Sequence, residues 1–203
     1  GATKSQSKTI GIPDGSGSVG DLEITITADS SDLIFELNGT GTGESNNAAT
    51  VAVAATLAPY PDLAVSNVVA PALTIADPAT VTVSWQVDNI GTLAADSGNW
   101  FDAVILSTDE VIGDNDDRVV AQFERTTNLG PGETYSRSES FQLPPALSGR
   151  FYLYVQADHS KSIFEDGRLA NNQDRAPDFF DVMPIPYADL LVTSVSPAAS
   201  GDS

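Results

Sequence analysis

Residues 79–88 read Ala-Thr-Val-Thr-Val-Ser-Trp-Gln-Val-Asp, and this stretch decides the fold class. Its apolar residues, with Trp85 among them, alternate strictly with polar ones, so they share one face of an extended segment. This alternation predicts a β-strand with one dry face and one wet face, and it is typical of a sandwich. Trp85 is then expected to fill the core, as large aromatic residues do in related sandwiches.

Working outward from this strand, the same pattern recurs along the chain. Turn-forming residues such as Gly130-Pro131-Gly132 and Pro144-Pro145 separate the apolar segments, and no segment shows a helical period. The sequence therefore predicts an all-β chain containing an immunoglobulin-like, seven-stranded β-sandwich. The seven expected strands lie near residues 62–69, 79–88, 101–107, 118–124, 133–142, 150–157 and 176–183.

The chain also repeats itself. Ala28-Asp29 and Ile34-Phe35-Glu36 recur 129 positions later as Ala157-Asp158 and Ile163-Phe164-Glu165. Shorter echoes pair Asn46-Asn47 with Asn171-Asn172, and Pro59-Tyr60-Pro61-Asp62-Leu63 with Pro186-Tyr187-Ala188-Asp189-Leu190. A period of this length suits a whole sandwich domain better than one coil of a solenoid.

The order of these echoes predicts a slice through a tandem array. Residues 1–59 are expected to be the C-terminal part of a preceding repeat, supplying its last three strands. Residues 60–186 form a complete repeat, and residues 187–203 supply the first strand of a following one. Neither fragment can close a core alone, so we expect a longer parent chain or neighbouring identical chains to complete them.

Composition excludes several functional classes. The net charge is −19 and lysine occurs only at Lys4, Lys8 and Lys161, so nucleic acid and anionic membranes would be repelled. With 41% hydrophobic residues the chain is not a disordered acidic tail. It has no cysteine for disulfides and no apolar run long enough to insert into a membrane.

The ordered set of motifs resembles the CARDB family, the cell adhesion related domain found in bacteria. The resemblance covers residues 60–186 and extends to the fragments at both ends. It implies an extracellular, immunoglobulin-like sandwich used in tandem in large bacterial or archaeal surface proteins, and it implies no catalytic residues. The motifs are Pro61-Asp62-Leu63-Ala64-Val65, Val87-Asp88-Asn89-Ile90-Gly91, Leu106-Ser107-Thr108-Asp109, Leu129-Gly130-Pro131-Gly132-Glu133 and Gly149-Arg150-Phe151-Tyr152-Leu153-Tyr154-Val155, with the Ala157-Asp158, Glu165 and Asn171-Asn172 positions.

One group of acidic residues is a candidate calcium site, because calcium prefers six to eight oxygen ligands on loops. Its spacing does not match an EF-hand. The alternative is a solvated acidic turn, since Asp and Asn are ordinary turn residues. The group comprises Asp109, Asp114, Asn115, Asp116 and Asp117.

A second candidate calcium group recurs in both copies of the repeat. It comprises Asp158, Glu165, Asp166, Asn171 and Asn172, with Asp29, Glu36, Glu44, Asn46 and Asn47 as counterparts. The alternative is turn architecture, in which short polar side chains bond their own backbone and recur for that reason.

Three aromatic residues are candidates for contacts outside the core. Trp100 is followed by Phe101, so one of the pair is expected to face outward, and Tyr152 and Tyr154 lie on the outward face of their strand. Exposed rings at these positions would serve contacts between repeats, bind sugars, or be exposed without a role.

The chain is therefore expected to be a non-enzymatic structural or adhesive repeat of a bacterial surface or secreted protein, forming a stalk, fibre or array, with calcium as a stiffening ion. The alternative is a carbohydrate- or peptide-binding accessory module of a larger extracellular enzyme. Expected partners are adjacent repeats or identical chains, and a surface glycan or protein receptor. An enzyme is disfavoured because the single histidine, His159, has no nucleophile or metal set around it in the sequence.

Overall fold

The structure, a computed structural model, describes residues 3–96, 98–185 and 191–196. Within those ranges the chain forms eleven strands and short 3-10 turns, without an α-helix, which confirms the all-β prediction. The strands are β1 (Gly20–Thr27), β2 (Ala48–Ala55), β3 (Leu63–Val69), β4 (Leu73–Ile75), β5 (Thr80–Asn89), β6 (Trp100–Ser107), β7 (Arg118–Arg125), β8 (Thr134–Gln142), β9 (Gly149–Gln156), β10 (Gln173–Arg175) and β11 (Phe180–Met183). The 3-10 turns are Ser16–Ser18, Glu44–Asn46 and Leu169–Asn171.

The strands from β3 onward form two sheets with a sandwich-like arrangement. The larger sheet has the order β4-β11-β9-β6-β7, with β10 paired to β9, and the smaller has the order β3-β5-β8. Inward side chains of both sheets, including Trp85, Trp100 and Phe180, belong to a shared buried cluster. Burial on β5 alternates as its sequence predicts, and Trp85 lies in the core.

All seven expected strands are present in residues 63–183, but the described part of this segment contains nine. The three-residue strand β4 pairs with β11 in parallel and was not expected. The strand expected over 176–183 is shorter than predicted, because only β11 lies in that range; β10 precedes it and was also not expected. Pro177 lies between them, and its missing N–H prevents continuous pairing with β9.

The Asn89 side chain explains one of the family motifs. Its Nδ2 donates to the carbonyls of Leu93 and Leu129, and its Oδ1 accepts from the N–H groups of Asp62 and Gly91. A Cβ at Gly91 would lie 2.4 Å from the carbonyl oxygen of Tyr60, so no other residue fits there. The Asp-Asn-Ile-Gly sequence therefore fastens the start of β3 to the end of β5.

Residues 3–59 contain the antiparallel hairpin β1–β2 rather than three strands, because residues 3–19 form no strand. Its register matches that of the complete domain. Thr27 pairs with Ala48 as Gln156 pairs with Gln173, at positions that correspond in the sequence repeat. The expected first strand of a following repeat, in 187–203, lies largely outside the described residues, and residues 191–196 form no helix or strand.

Candidate functional site

The first acidic group lies on the loop between β6 and β7 and brings three carboxylates together. Oxygen atoms of Asp109, Asp114 and Asp116 lie within 4.8 Å of one another. Asp116 also accepts from the backbone and hydroxyl of Thr108, which fixes its carboxylate in the turn. The arrangement concentrates negative charge at one point, and a cation there would relieve the repulsion.

The close spacing of these carboxylates shifts the pKa values of two of them. The pKa of Asp114 is raised, first because its carboxyl shares a hydrogen bond with Asp116. The same hydrogen bond, followed by those from Thr108, holds the pKa of Asp116 well below its usual range. The two carboxylates therefore act as a pair rather than as independent surface acids.

The other two residues of the predicted group have different surroundings. Asp117 accepts from the N–H groups of Gly113 and Asp114 through one oxygen, and its other oxygen is buried without a hydrogen-bond partner. Asn115 is exposed at the tip of the turn. Three of the five predicted residues thus form the cluster, and Asp117 shapes the turn behind it.

The acidic loop is fastened to the outer face of the larger sheet. Tyr154 donates its hydroxyl hydrogen to the carbonyl of Glu110 at 3.0 Å, and Ile112 packs against a small buried cluster formed by Ala103, Ile105 and Tyr154. This second cluster lies on the opposite face of β6 and β9 from the main core. The loop consequently covers a face that the alternation pattern had predicted to be solvated.

The second candidate group is explained by loop architecture in both copies. The Asp158 carboxylate accepts from the N–H groups of Ser162 and Ile163 at 2.9 and 2.7 Å. The Asp29 carboxylate accepts from Leu33 and Ile34 at 3.1 and 2.7 Å, at the same two sequence offsets. Asp29 and Asp158 also share a positive φ, 45° and 43°, so the two loops have the same local form.

Glu165 fastens the end of the domain to its beginning. Its carboxylate is buried and accepts from the N–H of Leu63, at the start of β3, and from the amide of Asn172. Burial is the main cause that raises the pKa of Glu165 to about 7. Because its oxygens have these protein partners, Glu165 has a structural role without any ion.

The remaining members of this group follow the same scheme. With its amide oriented to satisfy its neighbours, Asn47 donates to Glu36 Oε2 at 2.8 Å, as Asn172 does to Glu165. Asn171 donates to Asp62 Oδ1 at 2.7 Å. Asn46 ends the 3-10 turn Glu44–Asn46, which corresponds to Leu169–Asn171.

Two of the three candidate aromatics are not available for external contacts. Trp100 is fully buried in the core, and the outward member of the pair is Phe101, which is 38% exposed. Tyr154 is buried beneath the acidic loop. Tyr152 remains partly accessible and packs edge-on against Phe179, with ring centroids 4.9 Å apart.

Sequence reasoning missed a buried polar centre in the sandwich. Asp102 accepts from the indole N–H of Trp85 at 3.1 Å and from the hydroxyl of Tyr135 at 2.8 Å, and Arg137 lies 3.7 Å away. Burial raises the pKa of Asp102, although these hydrogen bonds and Arg137 oppose the shift. The signal was available, because residue 102 shares a strand face with the apolar positions 100, 104 and 106.

Fold and site together define a sandwich-like, all-β domain with an acidic loop across the outer face of one sheet. A family model identifies it further: the CARDB model matches residues 60–175, more than half of the chain, and the chain belongs to the CARDB family. This is a non-catalytic, adhesion-related domain family. No curated protein matches the chain.

Solved structures that resemble the chain are distant in sequence. One is a crystal structure of a CARDB domain from Pyrococcus furiosus in complex with di-metal ions, with 17% identity, coverage of 64% of this chain and 100% of that one, and a TM-score of 0.43. A solution NMR structure of the same domain has 18% identity, covers 61% and 96%, and has a TM-score of 0.43. A β-glucosidase from Listeria innocua in complex with glucose has 14% identity, with 61% of this chain but only 16% of the enzyme covered, and a TM-score of 0.39.

In the described ranges of the chain, no helix has the length and apolar character needed to cross a membrane.

Proposed function

We propose that this chain is a slice of a tandem array of CARDB domains, in which residues 3–59 close a preceding repeat and the array forms an extracellular stalk or adhesive surface. The role is mechanical and spatial. Each repeat carries load through its own core, and the proline-containing linker at Pro59 and Pro61 limits bending between repeats.

This proposal rests on one observation. Two parts of the chain have the same local structure, but their corresponding apolar side chains are exposed in one part and buried in the other. The β1–β2 hairpin and its Asp29 loop repeat the register and hydrogen bonds of the complete domain. Yet Ile26 is 71% exposed where its counterpart Val155 is 0% exposed, and Ile34 is 63% exposed where Ile163 is 3% exposed. An apolar face of this kind is expected to be covered by the remaining strands of its own repeat.

A test of the surface role uses cells that produce the parent protein. Antibodies raised against residues 60–183 should label intact cells, and mild external proteolysis should remove that labelling without lysis. Labelling only after permeabilisation would contradict the proposal.

We further propose that calcium binds the cluster of Asp109, Asp114 and Asp116. These residues supply hard oxygen ligands of the kind calcium prefers, and their mutual repulsion would be neutralised by the ion. An ion at this loop would stiffen the covering of the outer sheet face.

The calcium proposal is tested by thermal unfolding in excess calcium and in chelator. Calcium should raise the melting temperature, because a ligand that binds only the folded form stabilises it. The double variant Asp109→Asn, Asp114→Asn should lose that rise, whereas Asp178→Asn, an exposed acid outside the cluster, should retain it. If the unsubstituted chain has the same melting temperature with and without calcium, calcium binding is refuted.

A second candidate function, a carbohydrate-binding accessory module, is favoured by one surface feature. A cleft of about 200 Å³ is lined by Glu110, Tyr152, Arg175, Pro177 and Phe179. Aromatic rings beside charged groups are suited to stacking on sugars. Glycan-array binding that is lost in Tyr152→Ala would favour this function, and an array without binding would remove it.

A further inference from the structure

Residues 3–59 and the complete domain meet at a small contact centred on Gly15. Its N–H donates to the hydroxyl oxygen of Tyr60 at 2.9 Å, and this bond is buried. The next N–H, of Ser16, donates to Asp166 Oδ1 at 2.9 Å. The Tyr60 ring also packs edge-on against Phe164, with centroids 5.3 Å apart. We call Tyr60, Phe164 and Asp166 the joint cradle.

The position at the centre of the joint cradle favours a glycine. Gly15 has a φ of +98°, a region that other residues rarely adopt. A Cβ at this position would lie 2.6 Å from Asp166 Oδ1 and 3.8 Å from the Phe164 ring. An added Cβ would therefore push the Asp166 carboxylate away from the Ser16 N–H that it accepts from, and the positive φ would strain the backbone as well.

The residues at the base of the joint cradle alternate with buried residues of the complete domain. Ile163 and Glu165 point into the domain, while Phe164 and Asp166 lie between and after them on the accessible side. Asp158 holds the Ile163 N–H, and Glu165 holds the start of β3. The cradle is thus anchored to the core of the complete domain rather than carried by a free loop.

The third member of the cradle enters from the linker. Tyr60 lies between Pro59 and Pro61, whose rings restrict the backbone on both sides. Tyr60 is itself buried, and its carbonyl accepts from the N–H groups of Thr92 and Leu93. The Tyr60 backbone is consequently attached to the complete domain, and this attachment holds the Tyr60 hydroxyl at the position where Gly15 donates to it.

We propose that the joint cradle is the docking site for the glycine turn of the preceding repeat, and that it fixes the angle between the two repeats. This inference rests on the proposed function, since it assigns residues 3–59 to a preceding repeat. Without such a contact, neighbouring domains in one chain are expected to move relative to each other. Two backbone N–H groups, rather than side chains, make the polar contacts, so the orientation depends on the backbone of the turn.

The absence of cysteine allows a direct test by spin labelling. Labels at Val19→Cys, four residues after Gly15 and outside the hairpin, and at Ser138→Cys on β8, both exposed, report the distance between the glycine turn and the complete domain. Pulsed electron paramagnetic resonance on the full 203-residue chain should give a narrow distance distribution. Gly15→Ala should broaden it roughly twofold, because free domain motion is the default when a contact is lost.

Two further variants make the test specific. Tyr60→Phe keeps the ring contact but removes the hydroxyl that accepts from Gly15, and it should broaden the distribution in the same way. Gly17→Ala lies in the same turn with nothing within 4 Å of its added Cβ, and it should leave the distribution narrow.

The outcomes separate this inference from the proposed function. Two results would contradict the docking role of the joint cradle. One is a broad distance distribution in the labelled chain without further substitutions, and the other is a distribution as narrow in Gly15→Ala as in Gly17→Ala. Either result would leave the tandem-array proposal standing, because that proposal concerns the uncovered face of β1–β2 and not its orientation.

Discussion

Residue by residue, the aspartates of the two candidate calcium groups divide into two kinds. The exposed Asp109 and Asp114 and the half-buried Asp116 crowd together, which is the pattern that favours a cation. Asp158 and Asp29 are committed to backbone N–H groups, so their recurrence reflects loop geometry. The sequence could propose all of these as ligands, but it could not show which oxygen atoms were already occupied.

Glu165 should make the stability of the domain pH-dependent. Its folded-state pKa of about 7 lies above the ordinary value of 4.5, so the folded form binds the proton more tightly. This contribution is fully present below about pH 4.5 and is lost as the pH rises through about 7. A shift of this size corresponds to at most about 3 kcal/mol in the free energy of unfolding.

The measurement is denaturant unfolding of the unsubstituted chain and of Glu165→Gln between pH 5 and 8. We expect the free energy of unfolding to decrease as the pH rises in the unsubstituted chain, and to decrease less in the variant, because its amide does not titrate. The amide of Asn172, whose Oδ1 has no partner, can rotate to accept from the new donor. Glu23→Gln, exposed on β1, is the matched control, and equal pH slopes in all three proteins would contradict the assignment.

At the scale of the elements, the sequence predicts the strands far better than the loops that cover their outer faces. Alternation on β5 located Trp85 in the core, because one face of that strand packs against the other sheet. The same rule failed for Tyr154, since the acidic loop folds back over the outer face of β9. It also missed β10 and placed the start of β11 too early, because the missing donor at Pro177 interrupts the pairing with β9.

The acidic loop should be loosened by removing its hydroxyl anchor. In Tyr154→Phe the carbonyl of Glu110 loses its donor at 3.0 Å, while the ring still packs beneath the loop. We expect a loss of about 1 kcal/mol in local stability and faster hydrogen exchange confined to residues 108–117. Tyr60→Phe, whose hydroxyl lies on Gly15 and away from the acidic loop, is the comparison variant; exchange of residues 108–117 that rises equally in both would argue against the anchor.

For the whole molecule, sequence and structure contribute different parts of the account. The repeated motifs predicted a boundary near residue 60, and they predicted which positions of β1 correspond to the core of the complete domain. They could not reveal the contact between Gly15, Tyr60 and Asp166, because these residues are distant in the sequence and none lies in a motif that the two copies share in full. The cradle became visible only when the chain was folded.

The central claim is that residues 3–59 belong to a repeat whose remaining strands lie elsewhere. Hydrogen–deuterium exchange on the 203-residue chain tests it most directly, because the corresponding strand pairs β1–β2 and β9–β10 serve as internal references for each other. A two-stranded hairpin without a covered face is only marginally stable, so the amides of β1–β2 should exchange far faster than those of β9–β10. In a longer chain that carries the preceding repeat in full, the two pairs should be protected alike. Equal protection in the 203-residue chain alone would contradict the claim, because β1–β2 would then have a complete core without any further repeat.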